Sequence, residues 1–169
     1  MRFLVRIIEK ITDIVSGHLQ GWLVFALMIL VLIDVTSRYI LQNPLSIAEE
    51  YGGYSLVAIT CIGLAYAWKT RSHVRVEFIT GSLPVGVQRW LRLFTLFIAI
   101  VFTGFVVYAA YELFSFSLMF GTRSGSWLRT PIAWPQLTIF IGAVLMFLQL
   151  VAEIIKQIMK LSAPQEEGE

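Results

Sequence analysis

Four long apolar runs, separated by short polar stretches, form the main pattern along this chain. The runs lie near residues 19–40, 47–68, 90–116 and 132–155. A helix needs roughly 20 mostly apolar residues to cross about 30 Å of hydrocarbon. The pattern therefore predicts an all-α membrane protein whose membrane domain, residues 18–160, contains four transmembrane helices.

Residues 1–17 precede the first run and have a different pattern. Apolar side chains recur there at helical spacing, and the opposite side is polar: Leu4, Ile7, Ile8, Ile11 and Val15 against Arg2, Arg6, Lys10 and Asp13. We predict an amphipathic helix that lies in the cytoplasmic membrane interface. The alternative is a cytoplasmic extension of the first span. Since no small-residue cleavage site follows the first run, we expect that run to be retained as a membrane anchor.

Two further polar segments complete the predicted architecture. Between the second and third runs, apolar residues alternate with polar ones around His73, Arg75 and Glu77. We predict a short interfacial segment there, because a lone strand at a membrane surface would leave its backbone unpaired. Residues 161–169 are polar and include Pro164, so we predict a disordered cytoplasmic tail.

The basic residues indicate the orientation of the chain. Ten of the thirteen Lys and Arg residues form three groups: three at the N-terminus, five between the second and third runs, and two after the fourth. Arg38, Arg123 and Arg129 lie in the other two gaps. Cytoplasmic loops of membrane proteins carry an excess of Lys and Arg. We therefore predict that both termini are cytoplasmic.

Composition and cysteine usage exclude several classes of function. The chain is 57% hydrophobic and 14% charged, whereas a soluble domain carries about 25% charged residues. The net charge of +2 is small, and the distribution of the charged residues matches the predicted membrane topology. We therefore expect no nucleic-acid partner. Cys61 is the only cysteine, which excludes an intrachain disulfide and a thiol-ligated metal cluster. No pair of intramembrane histidines is available for haem. We expect neither enzymatic activity nor a cofactor, apart from membrane lipids at subunit interfaces.

Four ionisable side chains lie near the predicted outer boundary of the first two spans. Asp34 and Arg38 are four residues apart and share one helix face, so we expect a salt bridge within the helix or between helices. Glu49 and Glu50 fall in the first turn of the second span, where carboxylates complement the helix dipole. A local structural role is therefore the simplest account of both pairs.

A fifth ionisable group, Glu112, lies at the same boundary on the third span. It is about 30 Å above Arg92 along the helix. We expect Glu112 to pair with Arg123 or Arg129 in the outer loop. Ionisable groups thus gather at the two water boundaries, and the midplane has no group that could bind a cation or a carboxylate.

Small residues recur along the second span. Ala48 and Gly52, and again Gly63 and Ala67, have small-xxx-small spacing. Small side chains let helix backbones approach closely in lipid. We expect this helix to make the most protein contacts of the four.

Several short motifs follow this topology in a recognisable order. They are Arg38-Tyr39 at the end of the first span, Pro44 followed by Glu49-Glu50, Gly63 through Ala67 at the end of the second span, His73-Val74-Arg75-Val76-Glu77, Leu83-Pro84, and Pro131 with Trp134 before the last span. The chain resembles the small, four-helix, DctQ-like membrane subunit of tripartite ATP-independent periplasmic (TRAP) transporters. The resemblance covers nearly the whole chain. Two residues depart from it, because Ile47 stands where a tryptophan is frequent and Glu77 where an aspartate is common.

The resemblance implies a division of labour in the bacterial inner membrane. A periplasmic binding protein captures an organic acid, a large membrane subunit carries substrate and coupling cation, and the small subunit braces the large one and helps dock the binding protein. Partner or structural contacts are then expected at fourteen residues: Asp34, Arg38, Glu49, Glu50, Gly52, Gly63, Ala67, His73, Arg75, Glu77, Glu112, Arg123, Arg129 and Trp134. A small self-associating channel or exporter is the main alternative. A quinone-linked enzyme subunit is a weaker one for want of ligands.

Overall fold

The computed structural model describes residues 2–42, 46–70 and 85–162. Five α-helices and one π-helix account for most of these residues: α1 (Arg2–Thr12), the π-helix (Asp13–His18), α2 (Leu19–Ile40), α3 (Ser46–Lys69), α4 (Val85–Phe120) and α5 (Ala133–Ser162). The helical path runs unbroken from Arg2 to Ile40, and the π-helix separates the amphipathic α1 from the apolar α2. The predicted segment around His73, Arg75 and Glu77, and residues 163–169 of the predicted tail, lie outside the described residues. Residues 161–162, which were predicted to belong to the tail, are instead part of α5.

The chain is an all-helical membrane protein, as the apolar runs predicted. Three stretches within the described residues are long and apolar enough to cross a membrane: Arg6–Ile40, Gly86–Phe120 and Ala133–Met159. Helix α3 has 24 residues, which gives it a length of about 36 Å. It is less apolar than the other three because two glutamates, three tyrosines and several glycines and serines interrupt its aliphatic residues. A fourth span at α3 therefore stays a prediction.

The four long helices form an open row in the order α2, α3, α5, α4. Within the described residues, α2 packs on α3, α3 packs on α5, and α5 packs on α4. The π-helix also contacts α3, and α1 packs mainly on α5. Helices α3 and α5 thus form the centre of the row, and α2 and α4 flank it.

Small side chains allow close packing at the centre of the row. Ala58 and Ala65 of α3 and Ala143 of α5 are buried. At Gly142 the two backbones approach closely, since an added Cβ would lie 2.5 Å from the carbonyl oxygen of Cys61. In a membrane, apolar side chains gain little free energy by exchanging contacts with lipid for contacts with protein. Close packing of the helix backbones therefore holds the helices together.

The flanking helices present apolar side chains outward. Met28 and Leu32 of α2 and Phe102 and Phe105 of α4 are all more than half exposed. A soluble protein rarely exposes so large an apolar surface. In a membrane the same surface contacts lipid or another subunit.

The end of the row opposite α1 is closed by a compact loop, residues 121–132. Gly121 ends α4 with a φ of +59°, a conformation that glycine adopts at little cost. The loop then doubles back on itself, with hydrogen bonds from Ser124 N to Thr130 O (2.8 Å) and from Ile132 N to Thr122 O (3.1 Å). We call this segment the outer loop.

Candidate functional site

Six charged side chains meet at the end of the row that carries α1. This six-charge cluster comprises Glu9, Asp13, Lys69, Arg92, Glu153 and Lys156. They come from α1, the π-helix, α3, α4 and α5, so five elements converge on one site.

Every member of the six-charge cluster is in an ion pair with another member. Lys69 Nζ lies 2.5 Å from Asp13 Oδ1 and also donates to the carbonyl oxygen of Glu9 at 3.1 Å. Arg92 pairs with Glu153, and Lys156 pairs with Glu9. The side chains are between half-exposed and mostly buried, so each pair is partly shielded from water and loses less to screening than a surface pair.

Helix α1 joins this site through its polar side. Glu9, Thr12, Asp13 and Ser16 recur at a spacing of three or four residues and therefore share one helix face. Thr12 and Ser16 are fully buried against the protein. On the other side, apolar residues such as Ile7, Ile11 and Ile14 are exposed. This orientation, polar side inward and apolar side outward, suits a helix whose outer surroundings are lipid.

The six-charge cluster encloses a cavity of about 200 Å³. The residues that line it all have polar or charged side chains: Glu9, Lys69, Arg92, Gln149, Glu153, Lys156 and Gln157. Gln149 is 1% exposed and accepts a hydrogen bond from the Thr12 hydroxyl at 3.4 Å. Gln157 is 7% exposed. We call this space the polar cavity.

The sequence analysis did not predict this site. It used the basic residues after the fourth run only as indicators of orientation and treated Asp13 as part of a polar helix face. One signal was present in the sequence. Polar residues recur on a single face of α5 at helical spacing, namely Gln149, Glu153, Lys156 and Gln157. Polar residues confined to one face of a membrane helix indicate polar neighbours on that face. The partners of that face come from distant parts of the chain, so spacing alone could not identify them.

At the opposite end of the row, Asp34 and Arg38 form the salt bridge that their spacing predicted. Arg38 Nη2 lies 3.0 Å from Asp34 Oδ2 within α2. Glu50 has a different role, because it accepts hydrogen bonds from Tyr54 at 2.8 Å and from the hydroxyl of Ser126 in the outer loop. Glu50 therefore ties the start of α3 to the outer loop.

The predicted ion pair of Glu112 is not formed within the described residues. Glu112 instead accepts a hydrogen bond from the Tyr108 hydroxyl, one turn earlier on α4, at 3.0 Å. Arg123 and Arg129 are exposed in the outer loop. The prediction of a Glu112 pair was wrong because the loop doubles back over α3, toward Glu50, and its hydroxyls engage that carboxylate instead.

The remaining predicted residues divide between internal packing and exposed positions. A Cβ added at Gly52 would contact Leu27 and Leu30 of α2 at 4.0 Å or less, and one at Gly63 would collide with the Gln20 side chain. Ala67 is half-buried. Glu49 and Trp134 are exposed. The two glycines thus pack against α2 of the same chain, while Glu49 and Trp134 are open to solvent, lipid or a partner.

Comparison with known proteins identifies the family of this chain. No curated protein sequence matches the chain significantly. The family model for the DctQ component of tripartite ATP-independent periplasmic transporters matches residues 27–160. This range includes most of α2 and all of α3, α4 and the outer loop, together with α5 as far as residue 160. The chain therefore belongs to the DctQ family of TRAP transporter components.

Proposed function

We propose that this chain is the small accessory membrane subunit of a binding-protein-dependent, cation-coupled transporter that takes up organic acids without ATP. Its role is to brace the large membrane subunit that carries the substrate. It is not itself an enzyme or a carrier.

One observation carries this proposal. Charged residues are missing from the middle of each long helix: none occurs between Leu19 and Ile33, between Tyr51 and Trp68, between Leu93 and Tyr111, or between Ala133 and Ala152. Substrate and ion sites in secondary transporters lie near the bilayer midplane and use polar groups there. A carboxylate substrate and its coupling cation would therefore bind in another subunit.

The proposed topology has four spans, with both termini on the cytoplasmic side of the inner membrane. The six-charge cluster lies at the end of the row that carries most of the basic residues, which favours the cytoplasmic side for that end. Topology can be tested by thiol labelling of intact cells with a membrane-impermeant maleimide. We expect a Ser126→Cys variant in the outer loop to be labelled, and a Lys10→Cys variant to be labelled only after permeabilisation. Labelling of Lys10→Cys in intact cells would contradict the topology.

The outer loop is the proposed contact for the periplasmic binding protein. It exposes Arg123, Arg129 and Trp127, the last of which is 92% exposed. Arginine and tryptophan are both enriched at interaction hot spots. The hydrogen bond between Ser126 and Glu50 holds the loop in place and so presents these side chains in a defined arrangement.

The accessory role can be tested by reconstitution. Liposomes would contain this chain alone, the large subunit alone, or both, with the binding protein and labelled organic acid outside and a cation gradient across the membrane. We expect gradient-driven uptake with both membrane subunits and none with this chain alone. Uptake by this chain alone would overturn the proposal in favour of a self-sufficient channel or exporter.

A further inference from the structure

The polar cavity is large enough to hold more than isolated water molecules. Its volume is about 200 Å³, whereas a cavity needs only about 10–15 Å³ to hold one water. It opens among α1, α3, α4 and α5, at the point where the six-charge cluster joins them. The volume admits a polar group of several non-hydrogen atoms.

The lining of the polar cavity has unused hydrogen-bonding capacity. Gln157 is 7% exposed and makes no hydrogen bond to any described residue. Gln149 is 1% exposed and uses its carbonyl oxygen to accept from Thr12, which leaves its amide nitrogen without a partner among the described residues. The free polar atoms of both carboxamides are accessible from the polar cavity, since the enclosed polar atoms without a partner among the described residues are Ser16 Oγ and Gln136 Oε1. A polar occupant of the cavity can therefore hydrogen-bond to both carboxamides.

The charges in the lining have both signs, and they too have capacity left. Arg92 bonds Glu153 through one nitrogen, although a guanidinium has five N–H donors. Lys156 pairs with Glu9, although an ammonium has three donors. The carboxylates of Glu9 and Glu153 likewise retain free lone pairs. A ligand that carries one anionic and one cationic group would complement this lining better than a simple anion.

From the length of α4 we infer that the polar cavity lies at the level of the lipid headgroups. Helix α4 continues for about 40 Å from Arg92 to its end at Phe120, and the hydrocarbon core is about 30 Å thick. Trp90, two residues before Arg92, is 77% exposed, as is typical of tryptophans in the interfacial belt. The exposed side chains of Ile7 and Ile11 on the far side of α1 give that helix an apolar outer surface at the same end of the row.

We propose that the polar cavity binds the phosphoethanolamine headgroup of a phospholipid. The phosphate is recognised by Arg92, Lys156 and the carboxamide of Gln157, and the ammonium by Glu9 and Glu153. Basic pockets between transmembrane helices are known sites for lipid headgroups, and this lining adds two carboxylates to its basic residues. A choline headgroup lacks N–H donors for the two carboxylates, and a glycerol headgroup lacks the cation. This inference goes beyond the accessory role and does not depend on it.

Native mass spectrometry of the full-length chain tests the proposal. The chain would be released from nanodiscs that contain equal amounts of phosphatidylethanolamine, phosphatidylcholine and phosphatidylglycerol. We expect one retained phosphatidylethanolamine, favoured about tenfold over each of the other two, the factor that corresponds to one hydrogen bond to a charged group. Equal retention of the three lipids would overturn the assignment.

Two variants and a matched control connect the lipid to the polar cavity. Gln157→Met keeps all ion pairs and the side-chain length, and we expect it to lose about tenfold in phosphatidylethanolamine retention. Arg92→Met/Glu153→Met removes one pair without a change of net charge, and the same loss is expected. Gln136→Met, at the other end of α5, is the control and should retain the lipid. An equal loss in the control, or no loss in either variant, would contradict the proposal.

A second measurement separates lipid binding from folding and from binding of a free headgroup. Added phosphatidylethanolamine should raise the melting temperature of the wild-type chain in detergent but not that of Gln157→Met, whose lipid-free melting temperature gives its own stability. Soluble phosphoethanolamine should compete with the lipid in the wild type. Binding of the soluble compound without any retained lipid would overturn the lipid assignment.

Discussion

At the residue scale, the packing of this protein depends on a few positions where a side chain would prevent two helices from meeting. Gly142 is the clearest case, because its Cα faces the backbone of Cys61 rather than a movable side chain. Gly63 differs, since an added Cβ there would meet the flexible end of Gln20, which can move aside. The two glycines therefore have unequal importance, although both lie in close helix contacts.

Replacement of Gly142 by alanine should destabilise the chain. The added Cβ would lie 2.5 Å from the Cys61 carbonyl oxygen, so α3 and α5 must separate, at a cost of about 1–3 kcal/mol for overpacking. The measurement is the thermal unfolding midpoint in mild detergent. Gly53→Ala, where a Cβ would meet nothing within 4 Å, is the matched control and should unfold at the wild-type temperature or above. An unchanged midpoint for Gly142→Ala would refute the close approach.

At the element scale, ion pairs help to attach α1 to the rest of the chain. Its polar side faces α3 and α5 through Glu9, and the adjoining π-helix adds Asp13, while its exposed apolar residues point away. The ion pairs thus contribute to the position of α1 relative to the row of long helices, together with the buried Thr12.

Reversal of the Lys156 charge should release α1. In Lys156→Glu, Glu9 loses its partner and faces a like charge, and the loss of a charged hydrogen bond is worth about 1.5–3 kcal/mol. We expect faster hydrogen exchange of the α1 backbone amides, and recovery in the exchanged pair Glu9→Lys/Lys156→Glu. Lys10→Glu makes the same charge change on α1 at an exposed position and should leave exchange unchanged. Slow exchange in Lys156→Glu would mean that other contacts hold α1.

The helices themselves were largely predictable from sequence, whereas their contacts were not. Apolar runs at membrane length predicted α2 to α5, and a spacing of four predicted the Asp34–Arg38 pair, because both are local properties of a helix. The pairs of Glu9 with Lys156 and of Arg92 with Glu153 join residues far apart in the chain. They depend on the spatial order of the helices, α2, α3, α5, α4. The hydrophobic periodicity of the sequence does not reveal this order. The error at Glu112 has the same origin, since the course of the outer loop decides which carboxylate its hydroxyls reach.

At the scale of the whole molecule, the two ends of the row differ in chemistry. The six-charge cluster pairs all its charges internally. The outer loop exposes Arg123 and Arg129, for which the structure gives no ion pair among the described residues. A soluble partner that carries acidic residues would therefore be attracted to the outer loop rather than to the cluster.

Charge reversal in the outer loop should weaken coupling to the binding protein. For Arg123→Glu/Arg129→Glu we expect the binding-protein concentration that gives half-maximal uptake to rise about tenfold or more, because charges at an interface rim steer association. The assay is uptake into liposomes that contain both membrane subunits, with binding protein titrated. Arg6→Glu/Lys10→Glu, an equal charge change at the other end, should leave the titration unchanged. An unaltered curve for the outer-loop variant would remove these arginines from docking.

The open row has a further consequence. The four long helices lie side by side and do not close into a ring, so the described helices of a single copy do not surround a channel across the bilayer. One side can lie flush along a neighbouring subunit through the full depth of the bilayer while the other still meets acyl chains. A row of helices packed in this way would limit the tilt of the neighbouring subunit in the membrane. It would do so without a conformational change of its own.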